Sequence, residues 1–476
     1  WSPWAPAAVQ GHGPDRPASG ALRFGEPVWF GPADLVQVRS AVAVRGLRLH
    51  FVAASAVGAD LRSGAAFPFS ARRVAAHELA QPVLDAGPGQ PPIIARTAWA
   101  GTGARPAGGP YYGSVQVAFV HHSENPNGYG PAEVPAMILA IFAYHRHTRG
   151  WSDIGYNFIV DAFGRIWEAR AGGIDEPVIG AQAGGYNAVS TGIAVLGSFS
   201  FQAPSAASLN ALERLLAWKL SLHGVPATGR VQVRADASAP LFSRYAAGQQ
   251  VTLPRIAGHR DGDMTACPGE QLYARLPAVR RRAQSLAGDP AALTLASSAV
   301  DVPLAAASVT LSGSLARLGG APIAGARLSI QTISPSGALA TFASVTTGAD
   351  GSFTTPMTLN RSAVVRALYP GSPAAVSDLV LIQVTPVIEL SLASSSPLRV
   401  TGTVAPAKRR VALSVYQLTG AHRRLISTRQ VRVSGGAFSA RVSLGRRPRG
   451  EYMIIARTPL DTDSAPGASA PVTVTV

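Results

Sequence analysis

The stretch that most constrains this chain is residues 258–269, because it contains the single cysteine in 476 residues. His259 stands eight positions before Cys267, with polar residues and glycine between them. Imidazole and thiolate are good zinc ligands, and a tetrahedral site needs more than these two. The stretch therefore predicts part of a metal site, although such a pair on its own is more often coincidence.

The best candidate for the rest of the site is residues 115–123, an apolar run that ends in His121 and His122. Such a run is typical of a buried strand. Successive strand residues point to opposite faces, so only one of the two histidines can easily face a metal. Two histidines and one cysteine would leave a fourth position open to water, which is the layout of a catalytic zinc.

Further motifs accompany these two segments. They read Gly-Trp-Ser-Asp-Ile-Gly-Tyr-Asn-Phe-Ile-Val at 150–160, Asp-Ala-Phe-Gly-Arg-Ile-Trp-Glu-Ala-Arg at 161–170 and Ile-Ile-Ala-Arg-Thr-Ala-Trp at 93–99. Together with Phe-Val-His-His-Ser at 119–123, they closely resemble the peptidoglycan recognition protein family, which includes the zinc-dependent N-acetylmuramoyl-L-alanine amidases of type 2. The resemblance implies an α/β amidase domain over residues 91–288, with a mixed sheet flanked by helices.

The resemblance also implies roles for individual residues. It makes His121, His259 and Cys267 the ligands of Zn²⁺. It makes Tyr156 a catalytic hydrogen-bonding partner of the water or the oxyanion, and Thr265 a second residue that holds the intermediate. The reaction implied is hydrolysis of the amide that joins the lactyl group of muramic acid to L-alanine in peptidoglycan.

The substrate contacts and the general base are less well defined by the resemblance. Candidate substrate contacts are His122, Gln182 and Asn187. Family members often carry a histidine where this chain has Gln182, which keeps hydrogen-bonding capacity but cannot be a cation. Some relatives carry a glutamate where this chain has Ala194, so the identity of the base stays open.

Three other acidic side chains near these motifs have alternative roles. Glu168 has a counterpart in the family motif, and we expect it to be structural. Asp261 and Asp263 are candidates for extra ligands or bases. Aspartate favours turns, so a role in the loop is the preferred interpretation of both.

Two competing functions remain. The first is a non-catalytic module that only recognises peptidoglycan; in that branch of the family the cysteine is often replaced, whereas here Cys267 is present. The second is a structural wall or adhesion protein, which rests on the C-terminal β-repeats and leaves the histidines and the cysteine unexplained.

The net charge of +16 is carried almost entirely by arginine, since Lys219 and Lys408 are the only lysines. Such a charge attracts anionic polymers, although a compositional bias towards arginine also explains it. No motif typical of nucleic-acid binding occurs, so nucleic acid is not expected as a partner. No apolar run is long enough to span a membrane. Because the chain begins at Trp1, we expect a processed or trimmed product. The domain combination, the excess of arginine over lysine and the small-residue linkers resemble secreted actinobacterial amidases, which implies a secreted protein of the bacterial cell wall.

Local patterns predict the elements around the site. Apolar residues spaced three and four apart predict a helix at about residues 133–149, with His145 on its buried face. Leucines predict a second helix over residues 209–220, which ends before Gly224. Residues 157–169 predict a β-hairpin. Pro268 is expected at the first position of the helix that follows Cys267.

The flanking regions are predicted to be β-rich. Residues 1–90 are expected to form an N-terminal β-rich domain, and residues 286–300 a linker of small residues. Residues 311–315 and 351–353 are echoed at 400–404 and 436–438, separations of the size of a β-sandwich repeat. We expect two immunoglobulin-like β-sandwich domains, 301–388 and 389–476. The arginine-rich second one is a candidate for binding anionic wall polymers.

Overall fold

The computed structural model describes residues 89–101, 103–237, 243–306, 308–334, 337–420, 422–444 and 449–476. The predicted N-terminal β-rich domain lies almost wholly outside these residues. The chain divides into two compact units, which are described separately. Within the described ranges, no helix is long and apolar enough to cross a membrane.

The first unit contains an α/β domain. Its strands are β1 (Ile93–Ile94), β2 (Val117–His122), β3 (Phe158–Val160), β4 (Ile166–Glu168), β5 (Ser190–Val195), β6 (Arg230–Arg234), β7 (Gln250–Pro254) and β8 (Ile256–Gly258). Its helices are α1 (Thr97–Ala100), α2 (Val134–Ala143), α3 (Ala206–Leu222), α4 (His259–Gly262), α5 (Glu270–Tyr273) and α6 (Leu276–Ala287).

Six of these strands form one sheet in the order β1-β4-β3-β5-β2-β8. The predicted hairpin is confirmed, because β3 and β4 pair antiparallel. The other neighbours in the sheet pair in parallel. The sheet is therefore mixed, as predicted, and β6 with β7 forms a separate antiparallel ribbon.

Helices cover both faces of this sheet. Side chains of α1 and α2 pack with Ile159 and Trp167 in one core. Side chains of α3 and α6 pack with Val120 and Ile193 in another. The apolar positions predicted for α2 are buried. The α-helix itself ends at Ala143, and its continuation, Tyr144–Thr148, is a single π-helical turn.

The expected position of Pro268 is wrong. The helix after Cys267 begins at Glu270, and Gly269 precedes it with a φ of 83°. A Cβ on Gly269 would lie 2.4 Å from the backbone carbon of Phe199. The positive φ of Gly269 lies outside the helical region, so the helix begins after it, two residues from the proline, and the close approach of a distant loop leaves no room for a side chain at Gly269.

After α6 the chain is almost entirely β-structure. The strands are β9 (Ala291–Leu293), β10 (Ala296–Ser297), β11 (Asp301–Pro303), β12 (Ser308–Arg317), β13 (Arg327–Ile333), β14 (Leu339–Thr346), β15 (Ser352–Thr358), β16 (Ala363–Tyr369), β17 (Ala375–Val376), β18 (Val380–Thr385), β19 (Val387–Ser395), β20 (Leu398–Ala405), β21 (Arg410–Thr419), β22 (His422–Arg432), β23 (Ala437–Arg441), β24 (Glu451–Thr458), β25 (Gly467–Ala468) and β26 (Val472–Thr475).

The echoed segments of the second unit occupy the same place in their sheets. Gly313 of β12 pairs with Phe353 of β15, and Gly402 of β20 pairs with Phe438 of β23. The internal repeat is therefore a repeat of strand pairing as well as of sequence. The β-rich character of this region is as predicted, whereas the immunoglobulin-like topology and the domain boundaries remain predictions.

The stretch predicted as a small-residue linker is partly ordered into strands. Ala296 and Ser297 of β10 pair antiparallel with Ser312 and Leu311 of β12. Small residues satisfy their backbone hydrogen bonds in a sheet as well as any others do, so their side chains gave no sign of this pairing.

Candidate functional site

The alternation of β2 separates the two adjacent histidines. Val117 and Phe119 pack in the core beside the β6–β7 ribbon, whereas Val120 packs in the core beneath α3. By this alternation His121 shares the face of Val117 and Phe119, and His122 lies on the opposite face. Both side chains are buried. The prediction that the two histidines face different surroundings is confirmed.

Cys267 and His259 meet His121 from a different part of the chain. His259 is the first residue of α4, directly after β8, and β8 pairs with β2. One potential ligand atom from each of His121, His259 and Cys267 lies within 4.8 Å of the other two, and all three residues are buried. The structure thus brings together the three residues predicted as metal ligands.

The contacts of the two imidazoles show which side chain lies next to each ring nitrogen. His121 Nε2 lies 2.7 Å from Gln182 Oε1, and His259 Nε2 lies 2.8 Å from Asp263 Oδ2. The Nδ1 atom of His121 lies 3.7 Å from Cys267 Sγ. Two imidazole nitrogens and a thiolate in this arrangement fit a tetrahedral Zn²⁺ with one position left for water or substrate.

Gln182 is buried next to His121, and its amide is bonded on both sides. Its Nε2 donates to Ser190 Oγ at 2.8 Å, while its Oε1 faces His121. Asn187 supports the same loop, because its Oδ1 accepts from the backbone N–H groups of Gln182 and Ala183. The immediate partners of both predicted substrate contacts are therefore protein atoms. Their contact with substrate remains a prediction.

His122 pairs with an acid that the sequence analysis did not identify. Its Nε2 lies 2.5 Å from Glu124 Oε1, and both side chains are buried. Burial acts to raise the pKa of the Glu124 carboxyl. The hydrogen bond and charge of His122, together with the Ser198 hydroxyl, outweigh burial and lower that pKa. The backbone N–H of His122 points at Cys267 Sγ at 3.4 Å, so His122 borders the cluster only through its main chain.

Tyr156 lies beside His121, with ring centroids 5.2 Å apart. It also lines a recess whose other walls are Tyr144, His145, Arg149, Trp151, Ala181 and Gln182. His145 stacks on Trp151 and accepts a hydrogen bond from the backbone of Gly155. His145 is therefore a buried packing residue, as predicted, and the recess opens next to the ligand cluster.

Thr265 and the two aspartates belong to the loop that carries Cys267. Thr265 Oγ1 accepts a hydrogen bond from the backbone N–H of Cys267. Asp261 accepts from the backbone of Gly258 and from the Tyr273 hydroxyl, which is the loop role that was preferred for it. Asp263 is not only a turn residue, because it contacts His259 directly.

Neither of the two remaining positions considered for a general base supplies a carboxylate to the cluster. Glu168 accepts from the backbone N–H of Arg96, and burial raises the pKa of its carboxyl. This environment agrees with the structural role expected for Glu168. Ala194, at the position where some relatives carry a glutamate, pairs directly with His121 across β5 and β2. No carboxylate is therefore supplied from that position.

Sequence reasoning missed the roles of Gln182, Glu124 and Asp263. Only Asp263 carried a local signal, since it stands four residues after His259, a spacing that brings two side chains together on a helical turn. Gln182 reaches His121 across 61 residues of sequence. An amide at that distance gives no pattern from which its partner could be inferred.

Comparison with known proteins shows the family of this domain. Residues 111–270 match the family model described as N-acetylmuramoyl-L-alanine amidase. The α/β domain belongs to the peptidoglycan recognition protein and type 2 amidase family. This amidase-family domain contains the recess and all three potential metal ligands described above.

Two curated relatives and one solved structure are among the proteins to which this domain is similar. The domain is 28% identical over 183 residues to peptidoglycan-recognition protein SC1a/b of Drosophila simulans, covering 38% of this chain and 82% of the relative. It is 28% identical over 160 residues to peptidoglycan recognition protein 1 of Bos taurus, covering 33% and 69%. The structure of wild-type Drosophila PGRP-LB matches 39% of this chain and 92% of its own, with 25% identity and a TM-score of 0.31.

Proposed function

We propose that the amidase-family domain is a zinc-dependent N-acetylmuramoyl-L-alanine amidase, which hydrolyses the bond between the muramic acid lactyl group and L-alanine. The observation that supports this most directly is the buried group of His121, His259 and Cys267, whose ligand atoms lie within 4.8 Å of one another. A domain that only bound peptidoglycan would have no need of a buried thiol and two imidazoles in this geometry. Zinc, when bound, would supply Lewis-acid polarisation of the amide carbonyl and would make water more acidic.

The residues around the cluster have separate roles in this proposal. His121, His259 and Cys267 hold the ion. The Tyr156 phenol donates a hydrogen bond to the carbonyl oxygen as negative charge develops on it, which is a transition-state contact. Thr265 holds the backbone of Cys267 with its oxygen, and we propose that its hydroxyl contacts the reacting group.

We propose that the peptide part of the substrate contacts the surface around the small recess beside Tyr156. Its walls are aromatic, and Arg149 lies with its guanidinium 5.4 Å from the centre of the Trp151 ring. Aromatic rings with a guanidinium group beside them are side chains that contact a peptide carrying a carboxylate. Because its substrate is in the cell wall, we propose that the protein acts outside the cell as a secreted enzyme.

Mass spectrometry of peptidoglycan digested by the full chain tests the proposal. We expect free stem peptides and intact glycan strands, and no release when a chelator has removed zinc. Products cut at a glycosidic bond or within the peptide would contradict the reaction. Binding of peptidoglycan without any cleavage by the zinc-loaded chain would support the recognition function instead.

We also propose a binding surface for an anionic wall polymer on the last β-repeat. Residues 389–476 contain thirteen Lys and Arg against four Asp and Glu, a net charge of +9 out of +16 for the chain. Arg410 and Arg432 stand directly opposite each other on β21 and β22, and both are exposed. Like charges directly opposite each other destabilise a sheet, so a bound anion would reduce the repulsion between the two arginines.

An aromatic ring lies on the same outer face of this sheet. The guanidinium carbons of Arg423 and Arg457 lie 5.8 and 5.7 Å from the centre of the Tyr416 ring. No ion pair among the described residues involves these arginines or the Arg410–Arg432 pair. Guanidinium groups bind phosphate through paired hydrogen bonds, and a tyrosine ring packs against a sugar. We therefore propose a phosphate-bearing glycopolymer as the partner.

A second like-charged pair provides a matched control. Arg399 and Arg441 are directly opposite on β20 and β23 and are also exposed. We expect Arg410→Gln with Arg432→Gln to weaken calorimetric binding of poly(glycerol phosphate) about tenfold, equivalent to about 1.4 kcal/mol. Arg399→Gln with Arg441→Gln should change it much less. Equal losses in the two variants, or equal affinity for a single-stranded DNA oligonucleotide, would contradict a specific surface.

A further inference from the structure

One loop of the amidase-family domain is bonded to the surroundings of both potential zinc-binding histidines. Within residues 180–187, Gln182 Oε1 contacts His121 Nε2 at 2.7 Å. Two residues later, the backbone N–H of Gly184 donates to Asp263 Oδ2 at 2.8 Å. The same Asp263 oxygen lies 2.8 Å from His259 Nε2. The loop therefore reaches one imidazole directly and the other through a single carboxylate.

We infer that this loop fixes the tautomer and orientation of both imidazoles, with Gln182 and Asp263 as positioning residues that set the affinity for zinc. The inference rests on the proposed zinc site and extends it to residues that do not touch the ion. Histidine ligands of metals generally donate their second ring N–H to such an acceptor.

The hydrogen-bond chemistry determines the tautomer on each side. Ser190 receives the Gln182 amide N–H, which leaves the carbonyl oxygen of that amide facing His121. A carbonyl oxygen and a carboxylate only accept hydrogen bonds, so Nε2 carries the proton in both imidazoles. The lone pair is then on Nδ1, the atom that in His121 faces Cys267 Sγ. Both rings thus offer the nitrogen that a metal requires.

The absence of a side chain at Gly192 leaves the space that the Gln182 side chain occupies. A Cβ on Gly192 of β5 would lie 2.3 Å from Gln182 Cγ and 2.5 Å from its Cδ, so only glycine leaves room for this side chain. Asn187 fixes the backbone of the loop at Gln182 and Ala183. Only 5% of Gln182 is exposed, so its amide serves the interior of the site.

Three variants of the full chain test this inference. Gln182→Met removes the acceptor at similar size, and Gln182→Glu keeps one. Gln116→Met is the matched control, because Gln116 also bonds a serine hydroxyl but lies outside the cluster. Zinc affinity is measured by competition with a chromophoric chelator. The tautomer of His121 is measured by nitrogen-15 NMR on the metal-free chain, a readout that does not need zinc or activity.

We expect Gln182→Met to lower zinc affinity about 10- to 100-fold and to remove the preference of His121 for the Nε2–H tautomer. Gln182→Glu should stay close to wild type in both measurements, and Gln116→Met should be unchanged. Wild-type affinity and tautomer in a folded Gln182→Met chain would overturn the inference. If the wild-type chain binds no zinc, the proposed function fails, while the tautomer measurement still decides the role of Gln182.

Discussion

Adding one methyl group at Gly192 tests how strongly the site depends on the position of the Gln182 side chain. Gly192 lies on β5 opposite Phe119 of β2 and is buried. In Gly192→Ala, the new Cβ would be 2.3 Å from Gln182 Cγ and 2.9 Å from its Oε1. Ordinary contacts between carbon atoms are about 3.5–4.0 Å. Gln182 must therefore move by more than about 1 Å.

The size of this displacement sets the expected effects. The Gln182–His121 hydrogen bond is 2.7 Å long, and a shift of that size takes it beyond the range of an effective hydrogen bond. Zinc affinity should fall about 10- to 100-fold, as it does when a metal-binding histidine loses its second partner. Overpacking of the buried strand should also lower the free energy of unfolding of this domain by about 1–3 kcal/mol.

A double variant separates the two effects. In Gly192→Ala with Gln182→Ala, the atoms that overlap with the new methyl group are gone. The free energy of unfolding of the metal-free domain should then recover towards the wild-type value, whereas zinc affinity should stay low because His121 still lacks its acceptor. Recovery of stability in the double variant would show that positions 182 and 192 are energetically coupled, as residues in contact are.

The assays are denaturant unfolding of the metal-free chain and chelator competition for zinc, with Gly128→Ala as the control. A Cβ on Gly128 would meet no atom within 4 Å, so neither measurement should change. The reasoning would be refuted by Gly192→Ala with normal zinc affinity, or by a double variant in which zinc affinity recovers together with stability.

Three other predictions concern single side chains. Cys267→Ser should lose zinc while the C-terminal strands keep their circular dichroism signal, and full metal content by elemental analysis would remove Cys267 from the ligand set. Tyr156→Phe should keep its zinc and its melting temperature but lose about 100- to 1,000-fold in turnover of the muramoyl amide; near-normal turnover would show that its phenol is not catalytic. Glu168→Gln should raise the melting temperature at neutral pH, because burial raises the pKa of the folded carboxyl and so disfavours the ionised form. The stability that the protonated Glu168 carboxyl contributes is lost as pH rises through its folded pKa. The difference in melting temperature between the variant and the wild type should therefore disappear below about pH 4. A difference in melting temperature that increases in acid would contradict the assignment.

The sequence predicted well the features that depend on the short-range periodicity of apolar residues. The period of two in β2 separated His121 from His122 before any fold was known, because neighbouring strand residues must face opposite sides. The spacing of apolar residues likewise predicted α2 and α3 and placed His145 among packed side chains. These patterns need only the geometry of a single helix or strand.

The resemblance to a known family supplied what periodicity could not, namely that His259 and Cys267 share a site with His121. Their ligand atoms meet because β8 pairs with β2, an adjacency of strands that no local pattern in this chain reveals. Strand order in a sheet is decided by packing over the whole domain, so the residues from which a site is assembled cannot be read from either segment alone.

Tertiary structure alone decided the residues that support the site. The sequence predicted Gln182 only as a substrate contact, and the fold alone shows that its amide is bonded to His121 and Ser190. Pro268 was expected to begin a helix, but the helix begins at Glu270, because Gly269 has a positive φ where it packs closely against Phe199. In both cases a partner far away in sequence determines the outcome. A hydrogen-bonding group or a glycine is compatible with many partners, and only the packed fold selects one of them.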